Sequence, residues 1–391
     1  MARGRALVTD AGERVGLHVI RGLGRAGIRV VSTEVDHRAR IYPSLASRYA
    51  DEAHLLSLVE KTDIAYEEQL LQLGNEGDVL VPVCLNSLLR IVERRELLST
   101  RFHALLPSRR MLLQANDKWS LHQLALSIGV EVPRSWCPRD EDELRELCGQ
   151  IALPVMIKFR HDRRMYLGPA LRYRKLDEVG EVMQAWRHFH EMQPRPIIQE
   201  YIVGDGYGFE ALYDEGHRCV ASFQHRRLVE CPPQGGPSAV CESVRVPELE
   251  EYGRRLLDEL KWTGVAMVEF RRCSETGQFY LLEINPRFWG SIALSEAAGV
   301  NFPALYYRCA RGEKVETPSY REGVRLRLMP TYLLSGAMSL RNGPRGILKA
   351  FSNLRYLFDP RVREGLLTLD DPGGSWAYIR KNLRRGDRGD G

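Results

Sequence analysis

Val268-Glu269-Phe270 and, fourteen residues on, Leu282-Glu283-Ile284-Asn285-Pro286-Arg287 decide how this chain folds. Each glutamate sits in a short apolar run bounded by turn formers, which predicts two strands of one hairpin. Asn285 stands two residues beyond Glu283, so on a strand both side chains share a face. Two carboxylates and an amide oxygen are hard donors, the set magnesium prefers when phosphate oxygens complete its octahedron. Arg287 adds a fixed cation where a phosphoryl group in transfer needs one. A single acidic residue in a hairpin is ordinarily just solvated. A Glu between Val and Phe is costly to bury without a partner, however, so the constellation as a whole reads as a cation site.

Composition narrows the setting. At 391 residues the chain exceeds one hydrophobic core and predicts two or three domains. A net charge of +5 suits an anionic ligand such as a nucleotide but not a nucleic-acid surface. No apolar run approaches membrane-spanning length, and Met1-Ala2-Arg3-Gly4-Arg5 runs into a strand without a signal-peptide core. A cytoplasmic protein with neither nucleic-acid nor membrane partners is expected. The eight cysteines show no CxxC spacing, which argues for reduced structural thiols rather than zinc ligands or disulfides.

The first hundred residues alternate strand and helix, the pattern of an open parallel sheet covered by helices. Gly22-Leu23-Gly24-Arg25-Ala26-Gly27 fits a dinucleotide-binding pattern but ends a helix and precedes a strand, the reverse of what phosphate binding requires. Thr9-Asp10-Ala11-Gly12 is placed correctly for an anion site, although capping by Thr9 or Asp10 explains it as well. A boundary falls near residues 107–116. Beyond it the spacing predicts a helix over 117–128, a strand Val155-Met156-Ile157-Lys158, and a strand Pro196 to Ile202 ending in a turn at Gly204-Asp205-Gly206. In the last seventy-five residues, the run Arg345 to Leu357 is expected to pack back on the body, and Arg380 to Arg388 to form a solvated tail.

Two lysines precede the hairpin. Lys118 opens a helix, and Lys158 closes an apolar strand, where it needs an anion at its tip. Lys118, Lys158, then Gln199-Glu200-Tyr201-Ile202-Val203-Gly204, then Glu269, Glu283, Asn285 and Arg287 resemble, in that order, the ATP-grasp superfamily of carboxylate ligases. The resemblance covers roughly residues 116 to 315. It implies an α/β N-terminal domain with a parallel sheet, followed by a two-lobed α+β ATP-grasp fold. The expected divisions are 1–115 (N-terminal domain), 116–203 (small lobe), 204–315 (catalytic lobe) and 316–391 (C-terminal extension).

The resemblance also implies roles. Lys118 and Lys158 would contact ATP phosphates, Glu200, Tyr201 and Ile202 would hold adenine, and Asp205 would stand near the ribose. Glu269, Glu283 and Asn285 would bind magnesium, or manganese in its place. Arg287, Arg226 and His225 would be catalytic, and Gly235-Gly236-Pro237-Ser238 would approach the phosphates or the acceptor site. Two departures stand out. The loop Phe159 to Gly168 is basic where many relatives carry glycines, so charged side chains would replace backbone amides as anion donors. Asp205 comes one position earlier than the usual ribose-binding acid. The implied activity is phosphorylation of a small carboxylate followed by attack of an amine, with ADP and phosphate released. Two alternatives remain: phosphorylation of bicarbonate, and a non-catalytic nucleotide-binding protein. Arg160, Arg163, Arg164, Arg226 and Arg227 suggest an acidic substrate, and a homodimer is compatible with the chain.

Overall fold

The structure is a computed structural model that describes residues 4–35, 42–57, 65–161, 172–233 and 235–386. Strands β1 (Ala6–Thr9), β2 (Val30–Val35), β3 (Glu52–Leu56), β4 (Asp78–Pro82) and β5 (Phe102–His103) form a parallel sheet in the order β3-β2-β1-β4-β5. β1, β2 and β4 are buried along their whole length, as a parallel sheet with helices on both faces demands. Gly22 and Gly24 lie inside the helix Arg14–Arg25, and Gly27 follows it with φ of 72°. Neither Thr9 nor Asp10 caps that helix. Its N-cap is Glu13 without a side-chain bond, and the Thr9 hydroxyl reaches Ser87 Oγ at 3.2 Å.

At the end of β2, Glu34 accepts hydrogen bonds from the Gly12 and Val35 amides. Burial, reinforced by Asp10, pushes its carboxyl up to about 7. A carboxyl raised in the folded state contributes stability that is full below its unfolded pKa and lost as pH rises through the folded one. Between pH 4.5 and 7 the native protein should therefore lose about 3 kcal/mol relative to Glu34→Gln. Chemical denaturation of both proteins across that window checks the slope; parallel curves would refute the assignment.

Strands β6 (Ser135–Trp136), β7 (Val155–Lys158), β8 (Tyr173–Leu176) and β9 (Ile197–Glu200) make an antiparallel sheet in the order β6-β9-β7-β8. The helices Glu141–Cys148 and Val179–Met192 cover it through Leu144, Trp186 and Phe189.

The third sheet carries the site. It contains β10 (Gly204–Tyr213), β11 (Cys219–Glu230), β12 (Ser238–Ser243), β13 (Gly264–Cys273), β14 (Phe279–Asn285), β15 (Arg325–Arg327) and β16 (Val362–Glu364), in the order β14-β13-β10-β11-β12-β15-β16. All pairings are antiparallel except β15 with β16. Phe209, Val268, Phe270 and Ile284 point from one face toward the helix Pro247–Glu259. Phe223, Met267, Phe288 and Trp289 pack on the other side.

Three expectations need correction. Gly204-Asp205-Gly206 is not a turn; it opens β10, paired with Arg271 to Cys273. Strands β15 and β16 join the same sheet as the hairpin, so a boundary at 315/316 cuts across one sheet. The C-terminal basic run is in part not a solvated tail: the helix Pro372–Gly386 buries Lys381, whose ammonium reaches the Gly12 carbonyl at 2.8 Å. Upstream of that helix, Asp371 pairs with the fully buried Arg21 at 2.8 Å. Arg21 also donates to the Leu366 carbonyl at 2.9 Å and to Ser375 Oγ at 2.9 Å.

Candidate active site

β13 and β14 place Glu269 directly opposite Glu283, and Met267 opposite Asn285. A bulge inserts Leu282 into β14, which keeps Glu283 and Asn285 on the face that Glu269 occupies. The Asn285 amide spans the two carboxylates, with Nδ2 3.0 Å from Glu269 Oε1 and 3.3 Å from Glu283 Oε1. Arg287 donates to Asn285 Oδ1 at 3.0 Å and to the Phe288 carbonyl at 2.9 Å, so its guanidinium is fixed beside the triad.

The helix Lys118–Ser127 delivers the first lysine. Asp117 caps that helix by accepting from the Trp119 and Ser120 amides, and it also holds Arg160 at 2.7 Å. Lys118 is only 5% exposed and lies 3.3 Å from Glu283 Oε2. Burial alone would raise the Glu283 carboxyl, but Lys118, Lys158 and Arg287 outweigh it and hold the group well below the usual carboxylate range. Glu283 therefore stays ionised at any physiological pH. Lys158, at the end of β7, brings its charge to the same carboxylate from the second sheet.

His122 lies one turn along the helix from Lys118 and was not foreseen. Burial, then the charge of Lys158, pushes its imidazole down to about 3, so it is neutral. Its Nε2 is 3.2 Å from the Leu282 carbonyl and must carry the proton, since a carbonyl can only accept. The ring thereby anchors the bulge beside Glu283. The i, i+4 spacing of Lys118 and His122 is the signal that could have found it.

Strand alternation divides the expected residues of β10 and β11. Gly208 is opposite both Glu269 and His225, so these three share a face with Arg227, two positions along β11. Arg227 Nη2 lies 2.6 Å from Glu269 Oε2, and its Nη1 donates to the Gly236 carbonyl at 3.0 Å. Arg226 is opposite Tyr207 on the other face, where it pairs with Glu242 at 3.2 Å. Arg226, expected to be catalytic, therefore turns away from the carboxylates, and its neighbour Arg227 faces them instead. Asp205 shares the face of Tyr207 and Arg226 and is exposed, so it too points away from the hairpin carboxylates.

His225 is on the carboxylate side but sealed beneath it. Its Nδ1 is hydrogen-bonded to Glu210, and its Nε2 is 3.5 Å from Ser291 Oγ. His225 and Glu210 are both buried, and burial pushes the Glu210 carboxyl up despite the imidazole beside it. The expectation that His225 touches a reacting group is corrected to that of a buried partner for Glu210. Glycine makes the arrangement possible. A Cβ at Gly208 would lie 2.5 Å from the His225 ring, and one at Gly206 would lie 2.8 Å from both the Arg227 chain and Glu230.

Glu200, Tyr201 and Ile202 join β9 of the second sheet to β10 of the third. The Glu200 amide is bonded to the Arg134 carbonyl at 2.8 Å, and Lys175 lies 5.3 Å from the centre of the Tyr201 ring. Arg160 is committed to Asp117. Arg163 and Arg164, with most of the basic loop after Lys158, lie outside the described residues.

The donor set fits a hard divalent cation: two carboxylates and an amide whose half-turn would present Oδ1 to the same point. No cluster of three or more His, Cys, Asp or Glu suited to a metal occurs among the described residues. An ion held by Glu269, Glu283 and Asn285 would therefore draw its remaining ligands from phosphate oxygens and water.

Residues 193–331 match the model of a protein family described as ATP-grasp in the biosynthetic pathway with Ter operon. Acetyl-CoA carboxylase 1 of Oryza sativa subsp. japonica is 29% identical over 191 residues, which are 46% of this chain and 8% of that protein. The chain thus spans under a tenth of that relative. Among solved structures, the biotin carboxylase domain of Hydrogenobacter thermophilus 2-oxoglutarate carboxylase, complexed with MgADP, ADP and bicarbonate, superimposes with a TM-score of 0.66 at 15% identity. That match covers 83% of this chain and 74% of the other. The L-amino acid ligase of Bacillus licheniformis gives a TM-score of 0.58 at 14% identity, covering 79% and 75%.

Proposed function

We propose, starting from a chain that has the ATP-grasp fold, that it is an ATP-dependent ligase that activates a small carboxylic acid as an acyl phosphate and joins it to an amine. One observation carries the reading. Glu269, Glu283 and Asn285 converge on one face, ringed by the cations Lys118, Lys158, Arg227 and Arg287. Such a site can hold a polyphosphate and a second anion at once.

Magnesium, when bound, would neutralise phosphate charge and align the transferred group for in-line attack. Lys118 would orient the phosphates from the start of its helix and Lys158 from the end of β7. Arg287, anchored on the Phe288 carbonyl, would supply positive charge where charge develops on the transferred group. Arg227 would hold the second anion. The acid attacks the γ-phosphorus, ADP leaves, and the amine then displaces phosphate from the acyl carbon. The step requires positioning and charge, not a side-chain nucleophile.

The test is magnesium-dependent ADP release with pooled carboxylic and amino acids, with hydroxylamine as a generic amine. Release that requires an acid and yields hydroxamate supports the ligase. A second reading, phosphorylation of bicarbonate, is favoured by the likeness to acetyl-CoA carboxylase and to a structure holding bicarbonate. ADP release stimulated by bicarbonate alone, without hydroxamate from any acid, would replace the first reading with the second. Nucleotide binding with no ADP from any pool would leave neither.

A further inference from the structure

The helices Met329–Leu340 and Gly343–Asn353 are inside out. On the first, Tyr332, Ser335 and Ser339 are buried, while Leu333, Leu334 and Leu340 face solvent. Ser335 Oγ donates to the Glu230 carbonyl at 2.7 Å, and Tyr332 donates to the Asn353 carbonyl at 2.8 Å, so the polar side is firmly seated. On the second, Gly346 is buried, while Ile347, Leu348 and Phe351 are exposed, Leu348 to 70% and Phe351 to 64%. The expectation that residues 345–357 pack back on the body holds only in part: Gly346 and Tyr356 are buried and Leu357 packs against the cluster of Val229 and Val240, whereas Ile347, Leu348 and Phe351 point outward. The exposed apolar positions follow the same i, i+1, i+4, i+7 spacing on both helices: 333, 334, 337, 340 and 347, 348, 351, 354. Each makes one continuous stripe.

The charge around the stripes is one-sided. From Met329 to Phe358 the sequence holds Arg341, Arg345, Lys349 and Arg355 and no Asp or Glu. All four cations are exposed, and none forms an ion pair among the described residues. A second copy of this chain is a poor occupant, since a two-fold interface would bring both sets of cations together without an anion. An anionic lipid surface satisfies both features: leucine and phenylalanine enter the acyl boundary, and the cations meet headgroup phosphates.

We propose that the helical pair Met329–Asn353 is a docking surface for an anionic lipid bilayer. The chain lies on the membrane rather than spanning it; no described helix is long and apolar enough to cross. The earlier expectation of no membrane partner rested on that spanning criterion, which a surface-lying helix does not need to meet.

Flotation of the whole chain with vesicles tests this, comparing phosphatidylcholine alone with phosphatidylcholine containing roughly 30% phosphatidylglycerol. Binding at least about tenfold stronger to the anionic vesicles, and weakening with salt, is expected. Leu348→Ser with Phe351→Ser should reduce it at least about tenfold, and Arg345→Gln with Lys349→Gln about thirtyfold. Circular dichroism melting confirms that the variants remain folded. Equal binding to both vesicle types, no binding to either, or a wild-type dimer that Leu348→Ser with Phe351→Ser makes monomeric would each overturn the assignment.

Discussion

Glu283→Gln should lower magnesium-dependent ADP release by at least about a thousandfold, the effect of losing ~4 kcal/mol of transition-state stabilisation. Three features point to this carboxylate. It faces Glu269 across the hairpin, accepts from Asn285, and is the group on which Lys118, Lys158 and Arg287 converge. The amide keeps the shape but removes the charge, so the cations repel one another where they previously shared an anion. Some stability goes with it, because Lys118 is almost fully buried and its ion pair with Glu283 is removed. Glu283 retains 28% side-chain exposure, so water softens the cost to about 1–3 kcal/mol. Assays below the variant's unfolding temperature, with folding followed by circular dichroism, separate the two effects. A Glu283→Gln protein with near-native turnover would mean that the hairpin does not hold the metal. Glu283→Ala should fail in the same way.

Adjacent arginines provide the second large contrast. Arg227→Ala should reduce ADP release about a hundredfold or more, whereas Arg226→Ala should stay within about threefold of the native rate. Arg227 is in contact with Glu269 on the carboxylate face; Arg226 is on the reverse face with Glu242. Truncating Arg227 also strands Glu269 in a largely buried site, which costs about 3–5 kcal/mol. Arg227→Lys, which keeps the charge but not the two-pronged geometry, should recover part of the stability and little of the rate. If both alanine variants lose activity equally, the strand register described above does not govern the chemistry.

That pair also shows where sequence reading stops. The hairpin was legible because Glu283 and Asn285 are bound by a spacing of two, and local alternation is a property of the sequence itself. The choice between Arg226 and Arg227 was not, because both faces of β11 carry polar residues: Gln224 and Arg226 on one, His225 and Arg227 on the other. What decides is the pairing with β10, where Gly206 and Gly208 leave space on one face only. Gly204 and Gly206 read as a turn when the partner strand is unknown. The same limit hid β15 and β16. Strands of three residues carry no periodicity; β15 exists because the edge of β12 offers it a ladder, and β16 because β15 does. The lysines at 118 and 158 were found by order along the chain, but their meeting at one carboxylate depends on two sheets.

The pairing of Arg21 with Asp371 sets a schedule for synthesis. The partners are 350 residues apart in sequence, and at about 5–20 residues per second the ribosome needs roughly 20–70 s to deliver the second after the first. Throughout that interval the helix Arg14–Arg25 carries a guanidinium meant for the interior with no carboxylate to receive it. The first sheet therefore cannot finish as an independent unit while the chain is still being made; its last contacts wait for Asp371, and the Gly12 carbonyl waits for Lys381.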